Sequence, residues 1–131
     1  MKRLALLAAI LASPAMAQSY TEAEGGTLRW LDKLTSETGD VELSRGQSAK
    51  IGRLVVQLDS CRYPTDNPAS DAEAHLTMVD GGLQKTVFSG WMLASSPALS
   101  ALDHPRYDVW VLRCVLPEIA DPATTPAAEG E

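Results

Sequence analysis

Apolar and polar residues alternate along this chain in short runs, and no stretch keeps a helical period for three turns. Between Thr27 and Lys33, Leu28 and Trp30 stand two apart, as on a half-buried strand. Thr35 to Asp40 is turn-forming, and Val41 and Leu43 resume the alternation, which predicts a first hairpin. Ser48 to Ile51 follows, then Gly52, expected to mark a bulge or tight bend, then Leu54 to Leu58 with the apolar density of a central strand. Ala74 to Val79 and Gln84 to Met92 flank Asp80-Gly81-Gly82, a second hairpin signal. Pro97 to Leu102 predicts one helical turn, with Pro97 at its first position and Ser95 or Ser96 as its cap. Tyr107 to Val115 is the last strand. Strict alternation there puts Tyr107, Val109, Val111 and Arg113 on one face, and Asp108, Trp110, Leu112 and Cys114 on the other, toward a core. The pattern predicts an all-β single domain of about six to seven short strands, either barrel or sandwich.

The segments between and outside these strands change composition. Cys61 to Asp71, with Tyr63-Pro64 and Asn67-Pro68, reads as a long irregular connection, of the kind that is either functional or mobile. Residues 1–17 have a basic start at Lys2 and Arg3, an apolar run from Leu4 to Ala12 and a small-residue end at Ala15-Met16-Ala17, the layout of a signal peptide cleaved after Ala17. That run is far shorter than the roughly 20 residues a membrane-spanning helix needs. Residues 18–26 read as a flexible N-terminal segment, 27–116 as the β domain, and 117–131 as a disordered acidic tail rich in Pro and Ala. Export implies a periplasmic protein with no membrane anchor of its own.

Charge narrows the partners. The full chain carries a net charge of −6, and losing Lys2 and Arg3 leaves nine basic against seventeen acidic residues. Such a balance, with no Lys/Arg cluster, speaks against nucleic acid and anionic lipid.

Cys61 and Cys114 are the two cysteines of the chain. In an oxidising compartment a lone pair reads first as a structural disulfide; two buried thiols or a redox pair are the alternatives, the latter lacking the Cys-x-x-Cys form. A metal centre has few imidazoles to draw on: His75 reads as a surface or edge position and His104 as part of a turn. Asp66, Asn67 and Asp71 lack the spacing of a calcium loop. Ser95, Ser96, His104 and Asp108 lie close in sequence, but Phe88-Ser-Gly-Trp91 does not have the Gly-x-Ser-x-Gly form of a nucleophile elbow. The sequence therefore predicts no catalytic residues, no cofactor and no metal. Aromatic and apolar side chains are dense from Phe88 to Trp110, and these types anchor protein interfaces. Tyr63, Trp91, Met92, Leu99, Leu102, His104 and Tyr107 are the candidate partner-binding residues, with Trp91 to Pro105 as the expected contact surface.

The segment from Val87 to Cys114 resembles the signature of the DUF2155 family of exported bacterial proteins. Leu31-Asp-Lys33, Gly46, Gly52-Arg-Leu54 and Cys61-Arg-Tyr-Pro64 extend the resemblance over about Leu28 to Cys114. Genes of that family often neighbour one for a small accessory subunit of the respiratory NADH:quinone oxidoreductase, complex I. The resemblance thus implies a non-catalytic periplasmic accessory protein docking on that enzyme. The alternative is an envelope module binding small molecules or glycans, with Trp91, Tyr63 and Tyr107 as stacking platforms.

Overall fold

The computed structural model describes residues 13–15 and 17–117, so most of the expected signal peptide and the tail beyond Pro117 lie outside the described residues. Among the described residues eight strands form two sheets. The larger contains β1 (Tyr20–Glu22), β4 (Ser48–Ile51), β5 (Leu54–Pro64), β6 (Glu73–Asp80) and β7 (Lys85–Leu93); the smaller contains β2 (Gly25–Asp32), β3 (Thr38–Ser44) and β8 (Tyr107–Cys114). Their orders are β1-β5-β6-β7, with β4 also on β5, and β3-β2-β8, all antiparallel. Among the described residues no ladder joins the two sheets, so the fold is a sandwich rather than a closed barrel. Leu28, Leu54, Val56, Leu58, Leu76 and Met78 fill the space between them.

Bulges in β5 and β8 decide which side chains of those two strands reach that core. In β5 the pairing with β6 shifts between Leu58 and Ser60, leaving Asp59 as the extra residue; in β8 the pairing with β2 passes from Val111 to Arg113 and skips Leu112. Each bulge reverses the facing of everything beyond it. Cys61 therefore shares the inner face with Leu58, and Cys114 joins Tyr107, Val109 and Val111. This corrects the strict alternation of the last strand, which grouped Cys114 with Trp110 and Leu112. With both sulfurs turned inward, Cys61 and Cys114 form a disulfide that ties the two sheets together across the core, their Cα atoms 5.7 Å apart.

Three other expectations change. Residues 18–26 are not loose: β1 pairs with the far end of β5, and β2 already starts at Gly25. That pairing also continues β5 through Tyr63 and Pro64, so the connection to β6 is confined to residues 65–72. Gly52 is, as one of its two readings had it, a tight bend: it belongs to a two-residue turn between β4 and β5, where Ile51 pairs with Leu54, and takes φ +58°. The Tyr107 hydroxyl lies over that turn and accepts a hydrogen bond from the Arg53 N–H at 3.4 Å. The expected helical turn is a single 3₁₀ turn, Pro97–Leu99, and Ser96 at its start makes no side-chain cap. The neighbouring Ser95 gives its hydroxyl and its N–H to the Asp71 carboxylate instead, a charged acceptor stronger than a cap position supplies.

Candidate functional site

The chain between β7 and β8, residues 94–106, is held on the sandwich by buried polar contacts. His104 Nε2 lies 2.8 Å from Asp80 Oδ2, and both side chains are almost completely buried. The N–H groups of Arg106 and Tyr107 donate to His104 Nδ1, so this imidazole carries its proton on Nε2 and gives it to Asp80. Asp80 Oδ1 also accepts the Gly82 and Leu83 N–H groups. Chiefly through the His104 hydrogen bond, the Asp80 carboxyl stays below its ordinary pKa. Beside it, Arg106 donates to both oxygens of Asp32 and lowers that carboxyl in the same way. Lys33 Nζ closes the set by donating to the His104 carbonyl at 2.7 Å.

On this anchored base stands an apolar surface. Pro97, Ala101 and Leu102 face Trp110 and Val109 across a shallow groove of about 260 Å³, with Asp108 at its rim. Leu99, at the end of the 3₁₀ turn, is 76 % exposed, and the turn packs against β7. A second exposed aromatic cluster lies on the outer face of the large sheet. Trp91 on β7 is 37 % exposed; the Arg62 guanidinium from β5 sits 4.3 Å from its ring centre and 4.8 Å from that of Tyr20 on β1. Glu73 accepts from Arg62 at 2.7 Å. The edge of Trp91 meets the His75 ring, and His75 Nδ1 donates to the bulge residue Asp59 at 2.8 Å, where Thr77 donates as well. Aromatic rings and a cation thus lie side by side across four strands, an arrangement suited to burying flat apolar area while keeping its charges paired.

Residues 26–114 match the family model described as "Uncharacterized protein conserved in bacteria (DUF2155)". The chain belongs to the DUF2155 family. A curated relative, "Uncharacterized protein RP359" of Rickettsia prowazekii (strain Madrid E), is 26 % identical to it over 100 residues. That alignment covers 74 % of this chain and 63 % of the relative, so this chain spans less than two thirds of the relative's length. No solved structure matches.

Within the DUF2155 domain the predicted contact residues separate into two groups. Trp91 and Leu99 are exposed, whereas Tyr63, Met92, Leu102, His104 and Tyr107 are buried. Met92 alternates inward from Trp91 along β7, Tyr63 is turned inward by the β5 bulge, Tyr107 lies beneath the Gly52 turn, and His104 is engaged by Asp80. Leu102 contributes the inner wall of the groove. With Tyr63 and Tyr107 in the core, two of the three rings considered as glycan platforms are withdrawn from the surface. Sequence reading missed Tyr20, Arg62 and His75, because Tyr20 sat in a segment read as flexible and the other two meet Trp91 only through sheet register. The serine, histidine and aspartate that lay close in sequence are not assembled: Ser95 is held by Asp71, His104 by Asp80, and Asp108 lies 3.6 Å from Lys33. Among the described residues no three His, Cys, Asp or Glu side chains converge as a metal site. None of the described helices is long and apolar enough to cross a membrane.

Proposed function

We propose that this protein is an exported, non-catalytic accessory protein of the periplasm, docking on the periplasmic face of respiratory complex I. The observation that carries the reading is the exposure of Trp91, Leu99 and the Trp110 groove around a segment, residues 94–106, anchored by the Asp80–His104 hydrogen bond and the Asp32–Arg106 ion pair. Large side chains held in one geometry bind a partner with little loss of side-chain freedom. Two further points support it. A disulfide closing 53 residues suits an oxidising compartment, and the gene neighbourhood implied by the family resemblance links such proteins to complex I.

The test is co-migration. Membranes of the native bacterium, solubilised in mild detergent, should carry the wild-type protein in the complex I fraction. Trp91→Ala and Leu99→Asp should shift it to the free fraction, while Leu83→Asp, an exposed leucine in the β6–β7 turn, should not. A wild-type protein that runs as a free soluble monomer would overturn the proposal.

A further inference from the structure

The docking surface borders a strand edge with unused hydrogen bonds. The Ala94 N–H donates to the Ala72 carbonyl, which fixes the alternation of the β6–β7 ladder. Counting from there, Ala74–Met92, Leu76–Gly90 and Met78–Phe88 are its hydrogen-bonded pairs, while His75–Trp91 and Thr77–Ser89 are the non-bonded ones. Ser89 and Trp91 therefore turn their N–H and C=O groups away from β6. Among the described residues no strand pairs with that side of β7, and both residues are exposed.

The other edges of the sandwich are defended. β1 and β4 are only three and four residues long, β3 carries Asp40 and Glu42 on its exposed positions, and β8 carries the charges of Asp108 and Arg113. From Thr86 to Leu93, β7 has no charged residue. A long, open, uncharged edge is a liability unless something covers it. Its chemistry states what fits. Backbone donors and acceptors at strand spacing pair with another extended chain. At Gly90, on the core-facing side, a Cβ would meet only the Phe88 ring at ordinary van der Waals distance, which leaves room for a side chain of the incoming strand.

Resting on the docking reading above, we propose that the partner supplies an extended segment that adds as a strand to the open edge of β7, beside Trp91. The segment bonds to Ser89 and Trp91 through its backbone, places an apolar side chain beside Gly90, and covers the Trp91 ring from the solvent side.

Two measurements test this, using detergent-solubilised complex I from the same bacterium as the probe. In the free protein the amides of Ser89 and Trp91 should exchange rapidly with solvent deuterium, and those of Gly90 and Met92 slowly. On binding, Ser89 and Trp91 become protected. Ser89→Pro removes an outward donor and leaves the β6 ladder intact, so it should keep the wild-type melting midpoint yet weaken binding about tenfold or more. If Ser89→Pro binds normally and the two amides stay unprotected while Trp91→Ala loses binding, docking stands and strand addition is overturned. If neither variant alters binding, the docking surface itself is wrong. Should Ser89→Pro fail to fold, the exchange pattern of the wild-type protein decides alone: protection at Ser89 and Trp91 supports strand addition, and unchanged exchange refutes it.

Discussion

Single residues set the facing of whole strands. Asp59 and Leu112 are the extra residues of the bulges in β5 and β8, and through them Cys61 and Cys114 arrive on the same side. Neither bulge has a signature in the local pattern, since a run such as Leu58-Asp-Ser-Cys61 alternates acceptably in either register. The signal was present only in the cysteines themselves: a pair that must meet demands a parity shift somewhere in each strand. Gly52 was easier to read, because a glycine between two strand segments marks a turn. What the sequence left out is the Tyr107 hydroxyl above it. Gly52→Ala combines a left-handed φ with a Cβ that overlaps this hydroxyl. It should destabilise the fold by about 1–3 kcal/mol in urea titration, with the slope unchanged. An alanine variant as stable as wild type would show that the turn is free to move away from β8.

At the scale of elements, most strands were legible from alternation and turn residues, and the two predicted hairpins β2–β3 and β6–β7 both form. Misreadings fell where tertiary pairing overrides local composition. Tyr63 and Pro64 look like loop residues but lie in β5 because β1 pairs with them. The candidate contact segment was half legible for the same reason. Its apolar density was visible, but which side chains turn outward depends on the Asp80–His104 and Asp32–Arg106 pairs that anchor residues 94–106, contacts 24 and 74 residues apart in sequence. These pairs make stability depend on acid. Both carboxyls have folded pKa values below their unfolded value of about 4, so their contribution is complete above that pH and is lost as pH falls through the depressed folded values. Thermal midpoints should be nearly level from about pH 7 to 5 and drop steeply below about pH 4. Asp80→Asn should start from a lower midpoint at neutral pH, because His104 loses its anionic acceptor, and then fall less on acidification. Parallel pH curves for the two proteins would contradict this account of the anchor.

For the molecule as a whole, the disulfide is the covalent link between sheets that share no hydrogen-bonded ladder. Chain-entropy reasoning for a 53-residue separation gives about 4 kcal/mol. The Cys61→Ser, Cys114→Ser double variant should lose most of that in chemical denaturation, and a loss below about 1 kcal/mol would mean that the sandwich is self-sufficient. Fold and staple together leave Trp91, Leu99 and an open uncharged strand, β7, exposed at one end of the sheets, and an edge at β3 bearing Asp40 and Glu42 at another. The central claim is that only the first of these meets a partner. A photo-crosslinking residue placed at Ser89, or in a separate strain at Glu42, tests it in the native bacterium. A discrete adduct containing a complex I subunit from position 89, with none from position 42, is the predicted result; no adduct from position 89, or the same adducts from both positions, would contradict it.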